Sequence, residues 1–198
     1  MEPQDRIKAQ LMDARDLDRT LCGLGRMVIV LIAPEGEGTQ DFGLIGMQTR
    51  GVYLARRLQQ KIREVEGLQV PLGVLDATMY RDDFRVRMKQ PVVRATNIPF
   101  DIHARRLVLV DDVLYTGRTV RAALDALMDM GRPASVHFLV IVDRGLRELP
   151  VYADIVGRQV PTMPGEEVRV RLQECDAREG VWLVERMANP DRSGQAAE

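Results

Sequence analysis

Only two of the 198 residues are cysteine, Cys22 and Cys175, and they stand far apart. No CxxC and no paired Cys/His spacing occurs, which excludes a disulfide framework and a structural zinc site as organising devices. Histidine is as scarce. His103 falls in a connecting segment and His137 inside an apolar run, neither with a partner at a useful spacing, so both read as structural. Long apolar runs are missing too: the longest, Met27 to Ala33, falls far short of the ~20 residues that span a bilayer. The opening MEPQDRIKAQLMDARD is charged and lacks the apolar core of a signal peptide. Net charge is nearly absent, with 28 basic against 29 acidic residues. No global field therefore pulls the chain toward nucleic acid or acidic membrane, and any RNA surface must be a local patch. There is no Gly-Lys-Ser/Thr of a Walker A loop and no GxGxxG after a strand. These absences leave a cytoplasmic enzyme or regulator of one domain, a length that supports a sizeable core.

What is present is concentrated in Leu107 to Thr119, LVLVDDVLYTGRT. An apolar run ends in two adjacent carboxylates, Asp111 and Asp112. A short loop of hydroxyls and glycine follows, Thr116, Gly117, Arg118 and Thr119. A helix-forming stretch, VRAALDALMDM, then runs to Gly131. A strand feeding a helix through such a loop places N–H groups and hydroxyls at the positive helix end, an anion site suited to phosphate. Acids at the strand end sit where open α/β sheets bind ligands. Adjacent strand residues point to opposite faces, so the two acids need not share a task.

The rest of the chain alternates strand and helix signals. Residues 13–27 read as a helix running into the β-branched stretch VIVLI, and PEGEG at 34–38 as a breaker-rich loop. FGLIGM at 42–47 reads as a buried strand. The next helix carries Leu54, Leu58, Ile62 and Val65 on one face and is capped at Gly67. VPLGVLDATMY reads as a strand, and residues 81–98 as a charged, poorly periodic loop or hairpin. The strand at 107–112, the helix at 119–130 and a strand at 134–143 follow, with shorter strand-like runs at ADIVG, EVRVRL and VWLVE. The small, polar ANPDRSGQAAE reads as a disordered tail over 188–198. Alternation of this kind argues for an α/β domain, over 1–187, with a mainly parallel central sheet flanked by helices.

Several motifs in order carry a more specific likeness. VDDVLYTGRTVRAALDAL resembles the phosphoribosyl-diphosphate (PRPP) motif of the type I phosphoribosyltransferases. Its wording is similar to that of the PyrR family, pyrimidine-operon regulators that also have uracil phosphoribosyltransferase activity. The likeness runs from about Phe42 to Val170. It takes in TRGVYLARRL from Thr49, MYRDD from Met79, VDRGLRELP from Val142 and VGRQVPT from Val156. The resemblance implies the type I fold with a small hood, built from the N-terminal segment and residues after Asp143, closing over the base. It implies that Thr116 to Thr119 hold the 5-phosphate, with Val113, Leu114 and Tyr115 leading into that loop. Asp111 and Asp112 would contact the ribose hydroxyls and orient Mg²⁺ through water. Thr49, Arg50 and Gly51 would bind pyrophosphate. Arg81, at the head of the charged stretch, would arrive on closure to stabilise the leaving group. The uracil edge would lie near Asp143, Arg144, Val156, Arg158 and Val160. A homodimer or larger homo-oligomer is implied as well.

The chain departs from that pattern in places. Gly157, Arg158 and Gln159 stand where the family has Gly-Lys-Asn, and Arg is no free substitute for Lys where geometry matters. RNA-binding members carry polar groups along the first helix and after the VDRG turn. Here Gly23, Gly25 and Met27 interrupt that helix, and Leu146 and Tyr152 replace His and Arg at the turn. Arg19, Arg26 and Arg147 are left to contact leader mRNA, and weakened RNA binding is expected. Three readings stay open: a uracil phosphoribosyltransferase making UMP, an RNA-binding attenuation regulator with vestigial catalysis, and a phosphoribosyltransferase for another base.

Overall fold

The structure, a computed structural model, describes residues 6–32, 41–82 and 95–185. The PEGEG loop, Asp83, most of the charged stretch and the polar tail lie outside the described residues. Eight strands and four helices follow in chain order: β1 (Arg6–Met12), α1 (Ala14–Ile32), β2 (Phe42–Met47), α2 (Arg50–Glu66), β3 (Leu72–Leu75), β4 (Arg106–Leu114), α3 (Arg118–Met130), β5 (Ser135–Asp143), β6 (Ile155–Gln159), β7 (Glu166–Arg171), α4 (Gln173–Asp176) and β8 (Gly180–Glu185). β2 to β6 form a parallel sheet in the order β3-β2-β4-β5-β6. β1, β8 and β7 form a separate antiparallel sheet, the small hood.

The central strands read as unbroken apolar runs because both faces of the sheet are covered. Along β4 the side chains alternate: Val108 and Val110 enter one core with α1 and α2, while Leu107 and Leu109 enter a second core with α3. Burial of this kind contributes ~25 cal/mol per Å² of apolar surface, so the two cores fix the register of β4 and the direction in which its last residues project.

α1 absorbs the β-branched stretch that pattern alone left ambiguous. Leu17, Leu21, Leu24 and Val28 are buried at helical spacing, and this tertiary packing overrides the weak strand preference of Val and Ile. The helix starts on a reciprocal cap, with Asp16 N–H donating to Asp13 Oδ1 at 2.7 Å and Asp13 N–H to Asp16 Oδ2 at 3.3 Å. α2 buries Val52, Leu54, Ala55, Leu58 and Ile62, and ends at Gly67 with φ 69°. VPLGVLDATMY is strand only over Leu72–Leu75; a 3-10 turn at Thr78–Tyr80 takes the rest. β1, RIKAQLM, is not marked out in the sequence: Arg6 to Gln10 are exposed along it, and it is held as a strand by pairing with β8. No helix among the described residues is long and apolar enough to cross a membrane.

Candidate active site

The order β3-β2-β4-β5-β6 places β2 beside β4, and the chain winds away from this pair in both directions. The C-terminal ends of β2 and β4 therefore flank the topological switch point, where loops diverge and leave a crevice. The β2–α2 loop brings Thr49, Arg50 and Gly51 to one side of it. The β4–α3 loop brings Tyr115 to Gly117 to the other, with Asp111 and Asp112 between them.

Gly51 sets the spacing of the two loops. A Cβ there would sit 2.4 Å from the Val110 carbonyl oxygen and 3.2 Å from Asp111 Cα. Only a residue without a side chain lets α2 begin this close to β4. The Gln48–Thr49 peptide preceding it is cis.

The β4–α3 loop enters its helix through Gly117 at φ 92°, an N-cap position with no side chain of its own to cap the helix. Thr116 Oγ1 accepts from Arg118 N–H at 3.4 Å. The first-turn N–H groups and the Thr116 and Thr119 hydroxyls thus gather at a positive helix end. Together with Asp111 and Arg81 they line a cavity of about 240 Å³. Asp112 lines a different cavity, of about 260 Å³, with Arg50. The two acids serve opposite ends of the crevice.

Both carboxyls sit above their ordinary range. Loss of hydration is the main cause for each. For Asp111 the neighbouring Asp112 charge adds to it, whereas for Asp112 the Arg50 guanidinium pulls the other way. Asp112 N–H donates to Asp111 Oδ1 at 2.9 Å, and Val113 N–H to Asp112 Oδ1 at 2.8 Å. The pair is held at a high electrostatic cost, which a bound cation would relieve. No group of three acid, His or Cys side chains converges on a metal position among the described residues. Two carboxylates without a third fit an ion such as Mg²⁺, which keeps its waters and takes further oxygens from a phosphate substrate.

Arg81 lies at the β4–α3 loop, where Nη1 donates to Thr119 Oγ1 at 2.8 Å, and not beside Arg50. Its neighbours are tied to α3: Tyr80 OH donates to Asp129 at 2.8 Å, and Asp82 pairs with Arg118 at 2.6 Å. Arg118 also meets Glu148 at 2.6 Å, so its charge is shared between two acids.

The turn after β5 supports the β4–α3 loop from outside. Glu148 and Leu149 N–H groups donate to the Thr116 carbonyl at 3.0 and 3.1 Å. Arg147 pairs with Asp143 Oδ2 at 2.5 Å and donates to the carbonyls of Tyr115 at 2.7 Å and Val151 at 3.0 Å. Asp143 Oδ1 accepts from Gly145 N–H at 2.9 Å. Arg144 is buried, stacks 4.0 Å over the Tyr115 ring and donates to Thr162 Oγ1 at 3.1 Å. Arg158 donates to the Leu11 carbonyl, joining β6 to β1. Val156 is half-buried, and Val160 is buried with its N–H donated to the Asp143 carbonyl at 2.8 Å. The charged ends placed near the base are therefore engaged with protein in this structure, and Arg147 is a clamp within the turn. Of the other arginines assigned to RNA, Arg19 pairs with Asp16 and Arg26 is exposed on α1.

Sequence reasoning missed Asp176 and Arg171. Arg50 makes a two-point contact with Asp176, Nη2 to Oδ1 at 2.6 Å and Nε to Oδ2 at 3.0 Å. Arg171, from β7, lines the same cavity. Neither residue belongs to a local motif. His137 also has partners that its spacing did not show, Ser135 Oγ at 3.2 Å and Asp154 at 3.6 Å, at the far end of β5 from the crevice. A larger cavity, about 850 Å³, runs along the outer side of α2 by Arg56 and Arg63, away from both acids. The chemistry favours the two smaller cavities at the switch point.

The sequence matches the phosphoribosyl transferase domain family over residues 32–174. It is 50% identical over 180 residues to the bifunctional protein PyrR of Pelotomaculum thermopropionicum, covering 91% of this chain and 97% of that protein. It is 49% identical over 181 residues to the bifunctional protein PyrR of Thermus thermophilus, covering 91% and 98% respectively. Among solved structures, a hypoxanthine-guanine phosphoribosyltransferase from Bacillus anthracis superposes with a TM-score of 0.67 at 18% identity, over 92% of this chain and all of that one. The hypoxanthine phosphoribosyltransferase of Trypanosoma cruzi gives 0.67 at 16% identity, over 91% of this chain and 97% of that one. At such identities the superpositions speak for the fold alone.

Proposed function

Because the chain belongs to the phosphoribosyltransferase family, in its PyrR branch, we propose that it transfers the phosphoribosyl group of PRPP to uracil in the cytoplasm, giving UMP and pyrophosphate. The observation that carries this reading is the placement of Asp111 and Asp112 between a helix-end anion loop and Arg50, one acid on each cavity. Breaking the bond between ribose C1 and pyrophosphate develops positive charge on the sugar and negative charge on the leaving group. A site for this reaction needs an anion cradle at each end of the ribose and acids between them. The loop at Thr116 to Thr119 suits the 5-phosphate, and Arg50 with the Thr49–Gly51 backbone suits the diphosphate. Asp111 and Asp112 suit the ribose hydroxyls and the waters of Mg²⁺, which supplies charge neutralisation when bound. Arg81, docked on Thr119, closes the phosphate end against water. For the base, the Val156–Val160 segment offers backbone groups, since the Asp143 and Arg144 side chains have protein partners.

The test is a panel of uracil, cytosine, adenine, hypoxanthine and guanine, each with PRPP and Mg²⁺. UMP is expected as the dominant product, with no turnover after chelation. A purine nucleotide outperforming UMP would reassign the base, and no nucleotide from folded protein would remove the enzyme reading.

The regulatory half of the relatives' name is supported more weakly in this chain. Arg147 is consumed by the turn, and exposed Leu146 and Tyr152 stand nearby. A lone exposed arginine gives salt-sensitive, sequence-tolerant attraction. Gel-shift titration against pyrimidine-operon leader RNA at physiological salt is expected to show weak binding with little sequence preference. A nanomolar complex that tightens with UMP would establish RNA recognition by other residues.

A further inference from the structure

Arg50 is the cation of the β2–α2 loop, and in this structure a carboxylate already occupies it. Asp176 meets it fork to fork, the geometry in which an arginine also receives a phosphate. Asp176 sits at the end of α4 and belongs to the hood side of the crevice. Its Oδ2 also accepts the Leu172 N–H at 3.0 Å, so the carboxylate keeps a partner when Arg50 leaves.

A second clamp lies two helical turns along α2. Arg57 meets Glu174 at 2.7 Å and Glu179 at 2.5 Å. Arg50 and Arg57 are seven residues apart, so they share a helix face. Both hold the 174–179 segment. They differ in their surroundings. The Arg57 clamp lies outside the 260 Å³ cavity, whereas the Arg50–Asp176 pair forms part of its wall with Asp112 and Arg171. The Arg171 side chain has no hydrogen-bond or ion-pair partner among the described residues. The cavity thus holds three arginines: Arg50 neutralised by Asp176, Arg169 paired with Glu167, and Arg171, whose charge no carboxylate among the described residues answers.

We propose that Asp176 is a displaceable latch: its carboxylate holds Arg50 in the position an anionic substrate group takes, and an entering diphosphate exchanges with it while engaging Arg171 as a second cation. The proposal rests on the reading of this cavity as the diphosphate end of a PRPP site. A diphosphate offers more negative charge and more acceptor oxygens than one carboxylate, so it wins the exchange, but the bound carboxylate must first be displaced. The Arg57 clamp keeps the hood in place throughout.

The test is a double-mutant cycle read by calorimetric titration of inorganic pyrophosphate, without base. Asp176→Asn keeps an oxygen for the Leu172 N–H and removes the competing charge. It is expected to bind pyrophosphate about five- to tenfold tighter than the wild type, the effect of removing an internal competitor. In the Arg50→Gln background the same substitution should change nothing. Arg171→Gln should weaken binding several-fold. In steady state, Asp176→Asn should lower the KM for PRPP by a similar factor, with kcat moving less. Equal or weaker binding by Asp176→Asn overturns the latch, as does a gain that persists without Arg50, which would be a general charge effect. A check on the unaltered protein uses Trp182, the only tryptophan, in the strand after the latch and stacked 4.6 Å under Arg178. Pyrophosphate should alter its emission, and an unchanged spectrum at saturation counts against the exchange. Because no base is involved, a protein that forms no nucleotide yet shows the cycle loses the proposed function and keeps the latch.

Discussion

Asp111→Asn is expected to lower kcat/KM by about 10²–10³ and to raise the melting temperature of the ligand-free protein at pH 7.5 by about 2–4 °C. The two effects have one origin. Asp111 is held above the usual carboxylate range by lost hydration and by the charge of Asp112. A group whose folded-state pKa is raised contributes stability fully present below its unfolded value and lost as pH rises through the folded value. Burying this carboxyl beside Asp112 is therefore a burden on the empty fold at neutral pH. Asparagine keeps the shape and removes the charge. The stability gain should shrink toward pH 4, where the unfolded carboxyl is protonated too. Calorimetry at pH 4, 6 and 8 beside steady-state kinetics reads both halves. A lower melting temperature at pH 8, or retention of a tenth of the activity, would show that the burial argument is wrong.

Gly51→Ala is expected to be damaging for a steric reason. The added methyl would lie 2.4 Å from the Val110 carbonyl oxygen and close to Asp111 Cα, and both are backbone atoms of a central strand. Neither can yield as a flexible side chain would. Overpacking of this kind costs about 1–3 kcal/mol, and moving the Thr49–Gly51 loop by ~1 Å against the acids costs about 10²-fold in rate. The expected result is a folded protein of lower melting temperature whose activity is nearly gone. Wild-type kinetics and stability would mean that the loop and strand do not approach as described.

The parts of the fold and site that could be read from the sequence share one property: their information is local. LVLVDDVLYTGRT holds strand, acids and anion loop in one contiguous stretch, so residue types and order sufficed. The central strands were legible because burial on both faces leaves them uniformly apolar, and α2 because its buried residues recur at helical spacing. β1 failed that test: an edge whose first five residues are exposed, it mixes charged, polar and apolar side chains and takes its conformation from β8. The two-point contact between Arg50 and Asp176 joins residues 126 positions apart, and no pattern of spacing announces it. The engagement of Asp143 and Arg147 with each other was hidden for a different reason. A charged pair beside a motif looks the same in sequence whether it faces a ligand or braces a turn.

The small antiparallel sheet joins Arg6 to Glu185, among the most distant pairings the described chain contains. Contacts of such separation form slowly, because loop-closure entropy must be overcome before they contribute. The parallel sheet closes over shorter spans, the longest being the β2–β4 pairing of Phe42 with Arg106, and can assemble first. α4, which carries Asp176, lies between β7 and β8, so the Arg50 end of the crevice is completed only when the small sheet forms. The β4–α3 loop, built within the parallel sheet, exists earlier. On the function proposed above, a newly made chain would be able to grip a phosphate before it can perform chemistry on one.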